Sequence, residues 1–186
     1  MEKNDLIIHL QDICFNYPGS PQVLDRLDLK FYRGNRIGLM GPNGSGKTTL
    51  FHIIMGLLRP SSGSIEIFNR PVETEKDFIR VRERIGLLFQ DADDQLFSPT
   101  VLEDVAFGPL NMGKSRDEAM DIARNTLNFL GLTGFEDRIT YKLSGGEKKL
   151  VSLATVLAMK PEVLLFDEPT SGLDERTKAT LKDVLA

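Results

Sequence analysis

The chain has 186 residues, 41% hydrophobic and 27% charged, with 16 Gly and 9 Pro; these values exclude a disordered or collagen-like polypeptide and fit one globular domain. Its 23 basic residues against 27 acidic ones give a net charge of −4, so the basic excess of a general nucleic-acid binder is missing and nucleic acid is not an expected partner. A single cysteine, Cys14, allows no internal disulfide and implies a reducing compartment. No run approaches the roughly 20 apolar residues of a membrane span, and the N-terminus lacks the basic-then-apolar order of a signal peptide. A membrane role would therefore come through a partner.

In chain order, Leu6, Ile8 and Leu10 alternate, as do Leu27, Leu29 and Phe31; both sets predict half-buried strands of an antiparallel section, with a turn over residues 17–21 between them. Residues 36–40 predict a strand that runs into a glycine-rich loop. A helix follows from Lys47 to about Gly56, then a short strand over 64–68. Residues 85–89 and 163–166 are continuous apolar runs, the pattern of strands buried on both faces. Between Gln90 and Ser144 the chain reads mostly helical. Ser115 is a predicted N-cap, with Asp117 and Glu118 in the first turn and Ala119, Ile122, Ala123, Leu127 and Leu130 on one face. Residues 175–186 read as a helix with no stop signal. The pattern is α/β with a helical insert.

Gly41-Pro42-Asn43-Gly44-Ser45-Gly46-Lys47-Thr48 fits the phosphate-loop pattern G-x-x-x-x-G-K-[ST]. Glycines permit positive φ and close backbone approach, so successive N–H groups can point at phosphate oxygens. The following helix adds partial positive charge, Lys47 a full charge, and Thr48 a hydroxyl for Mg²⁺.

The apolar run 163–166 ends in Asp167-Glu168. Such a strand delivers side chains at its carboxyl end, where α/β sheets bind ligands. Asp167 suits Mg²⁺, and Glu168 suits orienting or deprotonating a water. Leu143-Ser144-Gly145-Gly146-Glu147 opens another helix. Ser144 caps it and the glycines leave its N-terminus open, which makes a second anion site.

Taken together, these motifs resemble the ATP-binding cassette (ABC) ATPases: phosphate loop, residues 143–147 as signature, 163–168 as Walker B and Ser171-Gly172-Leu173-Asp174 as D-loop, in the family's order. The resemblance begins near residue 6 and covers nearly all of the chain. It implies a P-loop, RecA-like α/β fold with a mostly parallel sheet, an antiparallel β subdomain and an inserted helical subdomain. Residues 1–90 and 160–186 would form the nucleotide-binding core and 91–159 the signature subdomain. Tyr17 would stack on adenine. ATP would be held by Gly41, Pro42, Asn43, Gly44, Ser45, Gly46, Lys47, Thr48 and Thr49. Gln90, as the Q-loop glutamine, would touch Mg²⁺ beside Thr48 and Asp167 and report to a transport partner. Residues 90–100 and 103–111 further resemble the cobalt/nickel-type energy-coupling-factor ATPases.

The resemblance implies a head-to-tail dimer, with itself or a paralogous subunit. Ser144, Gly145 and Gly146 of one chain would close on the γ-phosphate held by Lys47 of the other. Small transmembrane subunits would dock at the cytoplasmic face of the membrane, and hydrolysis would energise cobalt or nickel uptake, with Glu168, Lys47 and Gln90 carrying the reaction. Two departures stand out. The signature ends in Glu147 where the family favours Gln, a repulsion that Lys148 and Lys149 are placed to offset. The family's switch histidine, past the D-loop, has no counterpart, since the histidines are His9 and His52. A chain truncated at its C-terminus, with weakened hydrolysis, is the expectation. Two alternatives remain. One is a soluble cassette ATPase of cofactor-assembly or repair type, although the long coiled coil of repair relatives is absent. The other is a module that dimerises on ATP with little turnover.

Overall fold

The first alternating set grows into an 11-residue strand, β1 (Leu6–Asn16), and the second into β2 (Gln22–Tyr32). They pair antiparallel with Leu10 opposite Leu29 and Ile13 opposite Leu27. Ser20 N–H donates to Tyr17 C=O at 3.0 Å and closes the turn between them. The structure, a computed structural model, describes residues 5–185. It divides into two units, one ending at Arg82 and the other starting at Glu83.

In the first unit β3 (Ser62–Ile67) takes the other edge of β1, and β4 (Arg70–Pro71) follows; the antiparallel order is β2-β1-β3-β4. Phe68 and Asn69 join β3 to β4 with φ of 52° and 60°, the pair of left-handed residues that a two-residue hairpin turn requires. The predicted helix is α1 (Lys47–Ile54), with Ile53 and Ile54 fully buried. A second helix, α2 (Glu75–Arg82), is absent from the sequence expectations. Its start carries a legible signal: Thr74 and Asp77 bond reciprocally, Thr74 N–H and hydroxyl donating to the Asp77 carboxylate and Asp77 N–H to the Thr74 hydroxyl. Fully buried Phe78 anchors α2, and its ring would lie 2.3 Å from any Cβ on Gly56.

One expectation fails here. Residues 36–40 form no strand: Ile37 is 49% exposed and Met40 97%. An apolar run becomes a strand only where a neighbour takes its backbone ladder, and among the described residues none does. The parallel sheet is correspondingly small, and the antiparallel sheet is the larger.

In the second unit β5 (Ile85–Leu88) and β6 (Val163–Phe166) pair in parallel, Ile85 with Val163 through Leu88 with Phe166. Three helices pack beside them: α3 (Val101–Asn111), α4 (Arg116–Phe129) and α5 (Gly145–Ala158). Val101, Val105, Ala119, Ala123, Leu127, Val151 and Leu153 share their core. Each helix opens with a reciprocal capping box, from Thr100, Ser115 and Ser144. The predicted face of α4 is the buried one, with Ile122 half-buried at its margin. A last helix, α6 (Glu175–Leu185), starts where Asp174 accepts from Thr177 N–H at 2.9 Å.

Candidate functional site

In the first unit the phosphate loop connects residues 36–40 to α1. Gly46 is the N-cap of α1 at φ 90°, and a Cβ there would press on Leu24 and Val23 at 3.0 Å. Glycine is therefore required twice over, for the dihedral and for the space. No side chain caps α1. The helix start is thus left to a ligand in the way an anion site needs. Residues 41–45 are exposed, and Lys47 and Thr48 are half-buried. The Lys47 ammonium folds back onto the loop, donating to the carbonyls of Gly41 (2.9 Å) and Pro42 (3.1 Å). Thr49 is buried, and its hydroxyl lies 3.1 Å from the hydroxyl of Tyr17. The Tyr17 ring, 39% exposed, meets Phe15 edge-on at 4.9 Å. The structure thus joins Tyr17 to Thr49 and Lys47 to the loop's own carbonyls.

In the second unit Gln90 and Glu168, each two residues past its strand (β5 and β6), come together: Gln90 Nε2 donates to Glu168 Oε2 at 3.2 Å. The amide therefore turns its NH₂ to the carboxylate and leaves Oε1 for another partner. Asp167 is buried, and its N–H donates to Leu88 C=O at 3.0 Å, which extends the β5–β6 ladder by one bond. Glu168 has φ 41°, a left-handed conformation unusual for a side-chain-bearing residue. Such strain persists where surrounding structure over-determines it, and it collects at functional positions. Carboxylate, hydroxyl and amide oxygens are the hard donors that suit Mg²⁺, so the chemistry of Thr48, Gln90 and Asp167 fits that ion.

The signature residues start α5. Ser144 and Gly145 are exposed, while Gly146 packs so closely on α6 that a Cβ would lie 2.9 Å from Thr177 Oγ1. Glu147 is drawn inward by its own cap, accepting from Ser144 N–H at 2.8 Å, and it accepts from Arg138 Nη1 at 2.8 Å. These bonds, the Ser144 N–H first and Arg138 next, hold its carboxyl below the usual carboxylate range. The expected offset by Lys148 and Lys149 is corrected here: Lys148 pairs with Asp93, and Lys149 turns inward to the carbonyls of Phe89 and Gln90. Arg138 lies five residues before the signature, outside any motif, so no sequence pattern marks it. Gln95, equally unmarked in sequence, accepts from Phe89 N–H at 3.3 Å and donates to Ser152 C=O on α5 at 2.8 Å.

A phosphate loop opening a helix, with a parallel strand pair ending in Gln90 and Asp167-Glu168, defines a P-loop nucleotide-binding protein. The profile of the ABC transporter family matches residues 24–171, and the chain belongs to that family. It is 56% identical over 180 residues to a putative ABC transporter ATP-binding protein of Nitratidesulfovibrio vulgaris, covering 96% of this chain and 66% of that one. It is 46% identical over 172 residues to the energy-coupling factor transporter ATP-binding protein EcfA of Methanothermobacter thermautotrophicus, covering 92% and 55%. Among solved structures, cbiO1 of Clostridium perfringens, part of the ABC transporter complex cbiONQ, superposes with TM-score 0.82 at 40% identity, covering 97% of this chain and 72% of that one. The cassette MJ0796, a dimer in a post-hydrolysis state bound to ADP and Pi, superposes with TM-score 0.86 at 27% identity, covering 96% and 81%. The chain spans about half to two thirds of the length of such curated relatives. Among the described residues no helix is long and apolar enough to cross a membrane.

Proposed function

We propose that this chain is the ATP-binding and ATP-hydrolysing subunit of an energy-coupling-factor type importer, converting ATP and water to ADP and phosphate. The observation that carries the proposal is the Gln90–Glu168 hydrogen bond at the carboxyl end of the parallel strand pair, beside buried Asp167. A carboxylate held there by an amide is suited to take a proton from an attacking water at its free oxygen. Lys47 is assigned to the β- and γ-phosphates and would exchange the carbonyls of Gly41 and Pro42 for phosphate oxygens. The backbone of Gly41 to Gly46, with Thr48 and Thr49, is assigned to the nucleotide, and Tyr17 to the adenine face. Mg²⁺ would be held by Thr48, Gln90 Oε1 and Asp167 and would neutralise phosphate charge.

The exposure of Ser144 and Gly145 at the start of α5 supports a head-to-tail dimer with a second copy or a paralogue, in which Ser144, Gly145 and Gly146 meet the partner's nucleotide. A peripheral position at the cytoplasmic membrane face, docked on small transmembrane subunits, is supported by an exposed aromatic patch. Phe97 and Phe107, 67% and 45% exposed, pack edge-on at 4.7 Å, with exposed Leu110 further along α3 and exposed Met112 just past its end. Cobalt or nickel as cargo follows the sequence resemblance over residues 90–111. The test is phosphate release from MgATP, alone and with the membrane subunits in vesicles, read beside radiolabelled cobalt and nickel uptake. Release coupled to uptake is the expected result. No release in either setting overturns the ATPase reading, and release without uptake of either ion overturns the cargo.

A further inference from the structure

Among the described residues one cation is buried, and it holds none of the roles assigned above: Lys149, 3% exposed, on α5. A buried ammonium persists only where hydrogen bonds and opposite charges compensate its lost hydration. Lys149 Nζ donates to Phe89 C=O at 2.7 Å and Gln90 C=O at 3.0 Å. Burial lowers its pKa, and the carboxylates of Asp167 and Asp91 work in the opposite direction.

The location of these bonds matters. The β5–β6 ladder runs to Leu88, with one further bond from Asp167 N–H to Leu88 C=O. Past that point the carbonyls of residues 89 and 90 need another donor, and Lys149 supplies it. Phe89 N–H is received by Gln95, whose amide donates to Ser152 C=O and Thr155 Oγ1 on the same helix. Both backbone polar groups of Phe89 are thereby tied, directly or through one side chain, to α5. The next residue is Gln90, whose amide holds Glu168.

We propose that Lys149 is a positioning residue for hydrolysis: through the carbonyls of Phe89 and Gln90 it fixes the Q-loop backbone to the signature helix and so sets the Gln90–Glu168 pair. The proposal rests on the ATPase reading above. It makes the helix that begins with the signature glycines and the loop that carries Gln90 one mechanical piece, joined about one turn inside the helix. Misplacing a reacting group by a fraction of an ångström to an ångström lowers turnover without touching nucleotide affinity.

The test uses the full chain and steady-state phosphate release from MgATP. Lys149→Met keeps the length and apolar stem of the side chain and removes the donors. Its turnover at saturating ATP is expected to fall about tenfold or more while KM stays within about twofold. In a Gln90→Ala background the same change is expected to cost nothing further, because its effect passes through Gln90. Should Lys149→Met lose the wild-type circular dichroism spectrum, Lys149→Gln carries the same cycle. Unchanged turnover, a KM that rises in step with the loss, or losses that multiply in the double variant would each overturn the positioning role. Absence of phosphate release from the wild-type chain overturns the ATPase reading instead, and is seen before any variant is compared.

Discussion

Arg138 Nη1 lies 2.8 Å from Glu147 Oε1 while its guanidinium covers the ring of Phe135 at 4.1 Å. The ring fixes the orientation of the cation, and the cation masks a carboxylate one turn into the helix that opens the signature anion site. Removing Arg138 should therefore expose the charge of Glu147 to an arriving polyphosphate. Arg138→Ala is expected to weaken ATP-dependent dimerisation about tenfold, and Glu147→Gln in the same chain to restore it. The pair is partly exposed, so the stability cost should be about 0–1 kcal/mol. Dimer affinity by sedimentation at several ATP concentrations reads the first effect, and thermal unfolding reads the second. An Arg138→Ala chain that dimerises normally would show that Glu147 is harmless without its cation.

Glu168 combines two properties that two substitutions separate. Its carboxylate accepts from Gln90, and its backbone sits at φ 41°. Glu168→Gln should abolish turnover and trap the ATP-bound dimer, because the water loses its base. Turnover at the normal rate would move that role elsewhere. Glu168→Gly and Glu168→Ala both remove the carboxylate, but only glycine is at ease in the left-handed region. The glycine variant is expected to be more stable than the alanine variant by about 1 kcal/mol in urea unfolding. Equal stability would mean that the backbone relaxes when the side chain is gone.

The parts legible in the sequence were those written locally. The runs at 85–89 and 163–166 read as strands because a continuous apolar stretch needs no partner's identity to be recognised, but the expected burial holds throughout only in β5; in β6 Leu165 alone is buried. The caps at Ser115 and Ser144 read correctly because a capping box spans four residues. The same four-residue signal stands at Thr74 and Asp77, but α2 is short and polar, with only Phe78 and Val81 buried, so no apolar periodicity accompanies it. Residues 36–40 misled because their pattern states a propensity and not a partner strand. The links from Lys149 to residues 89 and 90 span about 60 positions, and no periodicity encodes them.

Lys47 donates to two loop carbonyls that a phosphate would replace, so its removal should cost the fold little and the ligand much. Lys47→Ala is expected to lower MgATP affinity by about 100-fold, a charge-assisted pair's worth, and to abolish ATP-dependent dimerisation. Its thermal midpoint without nucleotide should stay close to that of the wild type. Isothermal titration and a melting curve decide the matter, and unchanged affinity would refute the assignment of Lys47 to the phosphates.

Acid should loosen the chain through its caps. The carboxyls of Asp77, Glu118 and Glu147 are all held below their ordinary values, 3.8 for Asp and 4.5 for Glu. For Asp77 the leading cause is the Thr74 hydroxyl, and for Glu118 and Glu147 the N–H of Ser115 and Ser144. A native value below the unfolded one means that the unfolded chain binds protons more readily. The stabilisation is complete above the ordinary values and drains away as the pH falls through the lower native ones. The melting temperature should therefore be flat through these three groups at neutral pH and fall as the pH drops below about 4 to 5. Ser115→Ala removes the hydroxyl bond to Glu118 and keeps the leading one from the backbone N–H, so it should melt below the wild type at neutral pH, and the gap should narrow in acid. A gap of the same size at both ends of the range would show that the cap acts through packing and not through the ionised carboxylate.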